Sequence, residues 1–256
     1  LFIQVGEIKT MTDEIQSTLG TNILMDGIAL GEIYDPPTLG ANGEEIDTTA
    51  QNNVDGVKTK LIGLIDHDNA TFNLKYNGST QQNNLLAEIY DREMHTWSMV
   101  FPPDFHSGGH SFPWSGQIQS AKLVHEGAIA HIELATTVNN KMAPITTLGA
   151  GLTSTFFTIA DDDSNALTPS PAAAAAVYEY AVEAYADNTS IAITPTATAG
   201  TIRVNDTIVA SGAASAAIPL NTGTGAVTMV SITVTELNKT PRIYWLRVYF
   251  GPTNHQ

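Results

Sequence analysis

Two histidines, His106 and His110, stand four residues apart in the stretch Asp104–Phe112, "DFHSGGHSF", beside an aspartate and a serine. On a helix, an i, i+4 histidine pair offers two imidazole ligands to zinc. Here Gly108 and Gly109 separate the pair and Pro102–Pro103 precede it. Adjacent glycines and prolines exclude an ordinary helix. The stretch therefore reads as a hairpin tip, and a solvated turn is its expected role.

Other candidate constellations dissolve in the same way. Asp161, Asp162 and Asp163 match a calcium loop only in charge, because alternating ligands, a central glycine and a distal glutamate are missing. They are expected in a solvated surface loop. Asp66, His67 and Asp68 fall in a turn, where consecutive side chains point apart. His131 lies among alternating apolar residues and is expected to be a satisfied edge or core histidine. There is no G-x-S-x-G elbow, no P-loop and no dinucleotide fingerprint. No catalytic residue, cofactor or metal site is expected, and a metal hydrolase acting through His106 and His110 ranks last among the readings.

The chain has 256 residues, enough for one large domain or two ordinary ones. Its 11 basic and 26 acidic residues give a net charge of −15. That argues against a protein gripping nucleic acid through phosphates, which needs a basic surface. It leaves room for one that stays near nucleic acid without sticking. Cysteine is absent, so disulfides, thiolate zinc sites and cysteine nucleophiles are excluded. The opening "LFIQVGEIKTMTDEIQ" has no basic stretch leading into an apolar run, and does not read as a signal peptide. No apolar run approaches the roughly 20 residues a membrane helix needs.

Composition shifts near residue 150. Residues 1–151 carry seven Lys and Arg against eighteen Asp and Glu, and residues 152–256 carry four against eight. Between them "MAPITTLGAGLTST" is small, polar and glycine-containing, which marks a domain boundary. The expected domains are 1–151 and 152–256.

In the first, "TNILMDGIALGEIYD" suits one or two strands, and Pro36–Gly56 reads as a long loop, the kind that is usually functional. "VKTKLIGLID" and "ATFNLKYNG" read as strands around a turn. "STQQNNLLAEIYDREM" is the one clear helix, with Ser79 and Gln82 spaced as a capping box and Leu85, Leu86, Ile89 and Tyr90 on one packing face. "TWSMVF" and "SFPWSGQIQSAKLV" flank the histidine stretch as strands. In the second, short strand-like runs recur at regular intervals without a convincing helix, the spacing of an antiparallel sandwich. Leu246, Val248 and Phe250 of "RIYWLRVYF" are expected to face its core.

The ordered set "GTNILMDGIALGEIYDPPTLGANGEEIDTTAQNN", "VKTKLIGLIDHDNATFNLKYNG", "STQQNNLLAEIYDREMHTWSMVFPP" and "FPWSGQIQSAKL" resembles the major tail (tail tube) proteins of long-tailed, lambda-like phages. The run from Ile46-Asp47-Thr48-Thr49 to Lys60–Asp66 is the most diagnostic. "LTPSPAAAAAVYEYAV", "ITPTATAGTIRVNDTIVASG" and "ITVTELNKTPRIYWLRVYF" resemble the bacterial cadherin-like, immunoglobulin-like β-sandwich, with Ala174 and Asp206 departing from its pattern.

The resemblance implies a mainly β fold: a tail-tube β-sandwich or barrel with one packed α-helix, followed by an immunoglobulin-like β-sandwich. It implies hexameric rings of this chain, stacked into a virion tail tube and assembled in the host cytoplasm. The implied partners are further copies of itself, tape measure, tail terminator and tail-tip or baseplate proteins. DNA would pass in transit, repelled rather than bound, and no membrane is involved. An inter-ring loop would contain Pro36, Pro37, Gly40, Gly43, Glu44, Glu45, Ile46, Asp47, Thr48, Thr49, Asn52 and Asn53. Candidate lumen acids are Glu32, Asp35, Glu44, Glu45, Asp47 and Asp55. The second domain would sit on the tube exterior with, at most, weak host-surface glycan contact. His106 and His110 become candidate pH-sensitive assembly contacts. The competing reading is a secreted or surface adhesin or carbohydrate-binding sandwich, with Tyr178, Tyr180 and Tyr185 as its sugar platform.

Overall fold

A computed structural model describes residues 20–34, 40–47, 60–102, 110–126, 129–140, 143–171, 178–223 and 225–251. The fold is mainly β, with one helix among the described residues. The first half contains β1 (Asn22–Met25), β2 (Ile28–Glu32), β3 (Ala41–Asp47), β4 (Lys60–His67) and β5 (Ala70–Lys75). These are followed by α1 (Thr80–Glu88), β6 (His95–Val100), β7 (Ser111–Gly116), β8 (Ile118–Glu126) and β9 (Ile129–Thr136). Its sheets run β2-β1-β6-β7, β5-β9-β8 and β3-β4.

The first two sheets enclose a core built on Trp97 and Trp114. These are direct cross-strand partners on β6 and β7, stacked with ring centroids 6.2 Å apart. Phe72 of β5 meets both rings edge-on. Each buried indole needs an acceptor for its N–H. Trp97 Nε1 donates to the Gly116 carbonyl and Trp114 Nε1 to Thr136 Oγ1, each at 3.0 Å.

Helix α1 begins where Ser79 Oγ accepts from the Gln82 amide. The Gln82 side chain does not complete the capping box. Asn77 Oδ1 takes the Ser79 N–H instead, at 2.9 Å. Fully buried, Gln82 donates through Nε2 to the carbonyls of Leu30 (2.9 Å) and Lys75 (2.8 Å), and its Oε1 accepts from the Asn77 amide (2.8 Å). One amide thus joins the edges of β2 and β5. Gly31 beside it has φ +147, and a Cβ there would lie 2.8 Å from Gln82 Nε2. Leu85 is fully buried in the core and Leu86 and Ile89 pack against it. Tyr90 departs from the expected packing face: the helix ends at Glu88, and Tyr90 is 84% exposed in the turn that follows.

The second half contains β10 (Leu152–Asp161), β11 (Ala166–Leu167), β12 (Glu179–Ala184), β13 (Ser190–Ala197) and β14 (Thr201–Val204). It continues with β15 (Thr207–Val209), β16 (Ile218–Pro219), β17 (Val227–Thr235) and β18 (Arg242–Phe250). Sheets β11-β10-β13-β16 and β12-β18-β17-β14-β15 share one apolar core, including Ile159, Ile193, Val230 and Leu246. The sandwich is not purely antiparallel, because β12 pairs with β18 in parallel. Leu246 and Val248 face the core with Tyr244, whereas Phe250 is only half-buried at the strand end.

Ile243 and Trp245, on the opposite face of β18, are also buried, because they pack on the first half. The long loop expected over Pro36–Gly56 is partly strand. Ala41–Asp47 pairs antiparallel with β4, from Ala41 opposite His67 to Asp47 opposite Lys60. Its Gly, Asn and acidic composition signals a loop, but a ladder needs only backbone groups and a partner strand.

Candidate assembly surfaces

Of the residues assigned to the inter-ring loop, Gly40 precedes β3 and Gly43, Glu44, Glu45, Ile46 and Asp47 lie within it. The Asp68 amide donates to the Gly40 carbonyl at 3.1 Å and closes the open end of the β3–β4 pair. Pro36, Pro37, Thr48, Thr49, Asn52 and Asn53 lie outside the described residues, as do Asp35 and Asp55 of the acid set. The side chains of Glu44, Glu45 and Asp47 also lie outside them. Glu32 is not a free acid: its Oε2 meets Lys75 Nζ at 2.6 Å. No described strand other than its partner pairs with either member of the β3–β4 sheet.

The two halves meet at an apolar seam. Leu24, Ala29 and Val100 on the outer face of β2-β1-β6-β7 pack against Ile243, Trp245 and Met229. Trp245 Nε1 donates to Asn22 Oδ1 at 3.1 Å. A shallow open cleft runs beside the seam, lined by Glu32, Lys75, Glu179 and Arg247 as well as Trp245 and Met229. Arg247 pairs with Glu179 at 3.2 Å, so all four charges are matched within the chain. One sequence signal announced the seam. Residues 243–246 of β18 are apolar on both faces, the mark of a strand buried on both sides.

Polar clusters elsewhere serve turns. Asp26 has φ +52 in the β1–β2 turn, where its Oδ1 accepts from the Thr96 amide and its Oδ2 lies 2.8 Å from His95 Nδ1. Near them Glu88 Oε2 is buried without a hydrogen-bond partner. Burial pushes the Glu88 carboxyl up; His95 opposes this, and Asp26, Asp91 and Glu93 add to it.

Asp161 corrects the expectation of a solvated acidic loop: it is buried, and its carboxylate accepts from the amides of Asp163 and Asn165. Asp162 accepts from Thr189 Oγ1 (2.7 Å), the Thr189 amide (2.9 Å) and Asn188 Nδ2 (3.0 Å). These bonds, led by the Thr189 hydroxyl, hold its carboxyl down to about 2. Carboxylates already committed to amides make a corner between β10 and β13, not a cation cup.

His106 lies outside the described residues, and the His110 carbonyl accepts from the Phe101 amide at the mouth of the β6–β7 hairpin. His131 is buried and stacks on Tyr34 at 5.6 Å. The three tyrosines form no common platform. Tyr180 is buried edge-on to Phe157, Tyr178 stacks on Tyr244 beneath Arg242, and Tyr185 is partly exposed. Among the described residues no three His, Asp or Glu stand together as a metal site, and no helix is long and apolar enough to cross a membrane.

The chain matches no family model and no curated protein. Among solved structures, a chain of the virion of the native gene transfer agent particle is 15% identical with a TM-score of 0.40, over 50% of this chain and 98% of that one. A chain from the tail of the empty particle, refined with C6 helical symmetry, is 17% identical with a TM-score of 0.35, over 43% and 79%. A chain of the anti-feeding prophage baseplate, 6-fold symmetrised, is 9% identical with a TM-score of 0.38, over 48% and 89%. TM-scores below 0.5 do not establish a shared fold.

Proposed function

We propose that this chain is a structural subunit of a phage-like tail, not an enzyme. Copies form hexameric rings that stack into the tube through which the genome leaves. Residues 1–151 build the tube and residues 152–256 form a sandwich on its exterior; the two separate apolar cores support that division. The partners are further copies of the chain, with tape measure, terminator and tip proteins at the ends. The setting is the virion tail, put together in the host cytoplasm.

The observation that carries the reading is the β3–β4 sheet. Two strands alone are marginal in water. Among the described residues this pair has no third strand to lean on, so a neighbouring copy is the natural source of one. The most diagnostic residues of the tail-tube resemblance, Ile46–Thr49 and Lys60–Asp66, fall on or beside these strands. Glu44, Glu45 and Asp47 are then candidates for the acidic lining, together with Asp35 and Asp55. Glu32, neutralised by Lys75, drops out of that set. Negative charge along a narrow channel raises the energy of phosphates near its wall, which keeps DNA moving.

Negative-stain microscopy of the purified full chain tests the proposal. Rings and stacked tubes are expected as concentration rises. A strict monomer at high concentration would refute it.

A further inference from the structure

The segment that reads as a small, polar, glycine-containing domain boundary is bonded along much of its length. Ile145 exchanges two backbone hydrogen bonds with Ser111 at the edge of β7, at 2.8 and 3.0 Å. The same Ile145 carbonyl also accepts from Thr240 Oγ1 at 2.8 Å. The Thr240 amide donates to the Thr147 carbonyl (2.7 Å), and the Gly149 amide donates to the Thr240 carbonyl (3.0 Å). Leu148 forms a parallel bridge with Thr240, and Arg242 Nε donates to the Gly149 carbonyl at 3.0 Å. The Ala150 amide donates to Glu236 Oε1, whose carboxylate Lys239 helps keep charged. The Leu152 amide reaches Tyr244 Oη at 3.1 Å.

The glycines serve close approach rather than freedom. At Gly149 a Cβ would lie 3.1 Å from both the Thr240 carbonyl and Glu236 Oε1. Gly151 has φ +72, and a Cβ there would lie 2.4 Å from Tyr244 Oη. Two further contacts hold the halves together: the apolar seam at Trp245, and the Gly27 turn, which lies against Arg203 and Thr235. Rotation about the connection would disrupt contacts at all three places.

We propose that residues 143–151 are a strap that locks the two halves of the chain into one rigid body, with Thr240 as its pin. The sandwich is therefore not a freely swinging appendage. Any assembly built from the first half presents the second at one fixed angle. The inference concerns the isolated chain and stands or falls independently of tube formation.

Because the protein has no cysteine, spin labels can be placed on the full chain at Ser120→Cys and Ala210→Cys, both exposed. Pulsed electron spin resonance should give one narrow distance distribution. A broad or multi-peaked one overturns the proposal. In the doubly labelled chain, Gly151→Ala should broaden the distribution. In a slack linker, Gly→Ala is neutral or mildly stabilising, so an unchanged narrow peak also counts against the strap. Should that variant fail to fold, hydrogen exchange on the native protein decides. The amides of Ile145, Gly149 and Thr240 are expected to exchange more than about a hundredfold slower than in an unstructured peptide, and any lower protection overturns the proposal.

Discussion

Single side chains carry unusual responsibility in the first half. Gln82 is the clearest case, since its three hydrogen bonds join β2, β5 and the entry to α1. Gln82→Leu keeps the volume roughly but leaves two carbonyls and one amide without partners. It should cost about 2–4 kcal/mol, read from the urea midpoint. Glu88 gives a pH signature. Its carboxyl titrates above the ordinary value because burial disfavours the charged form. The stability it contributes is complete below the unfolded-state value and is lost as pH rises through the folded-state one. Wild type should therefore lose stability relative to Glu88→Gln as pH rises from about 4 towards neutrality. Parallel stability curves for the two proteins over that range would show that the orphaned oxygen does not matter. Asp162 has the opposite sign. Its carboxylate is stabilised by Thr189 and Asn188, so its contribution is present above the ordinary aspartate value and disappears as pH falls towards about 2. A carboxyl carbon titration by NMR should place its midpoint near that value; a midpoint near 4 would mean that the corner bonds do not form.

Elements in this chain are defined by what lies beside them. Helix α1 is short, and its amphipathic face shrinks to Leu85 with flanking support from Leu86 and Ile89. Its start depends on Ser79, so Ser79→Ala should cost about 1 kcal/mol in chemical denaturation. Strand β7 shows how an edge is closed without another full strand. Ser111 is paired by Ile145, and the Ser115 carbonyl and amide are met by the Asn139 amide and Asn140 Oδ1. Pro113, between them, has no N–H to offer. Strand β18 is the opposite case, an interior strand with the sandwich core on one face and the seam on the other.

At the scale of the whole molecule, the β3–β4 pair is the sheet that no other described strand joins. If the proposed tube forms, deleting Gly40–Asn53 should abolish ring stacking while leaving both apolar cores folded, because the described members of both cores lie outside that segment. Tubes of normal length from that variant, seen by microscopy, would move the stacking contact elsewhere. With the strap closed, a ring assembled from first halves would hold its sandwiches in register. Matched ion pairs along the intervening cleft then leave little net charge to attract a ligand there.

Read alone, the sequence determined the mainly β class, the helix and its Ser79 start. It also determined that Leu246 and Val248 face inward on β18, and the prolines before and glycines within "DFHSGGHSF" argue against a helical zinc pair there. All of these follow from local rules: periodicity, capping, and the conformational limits of proline and glycine. Tertiary structure decided the rest, because those features depend on what a residue meets across the fold. Ala41–Asp47 became a strand only because β4 was there to pair with it. Gln82 looked like half of a capping box until two distant carbonyls claimed its amide. Asp161 looked solvated until neighbouring amides turned inward to meet it. Gly149 and Gly151 read as part of a domain boundary, and proved to be positions where β18 and the turn before it crowd the backbone, tightly at Gly149 and too closely for a Cβ without a shift at Gly151.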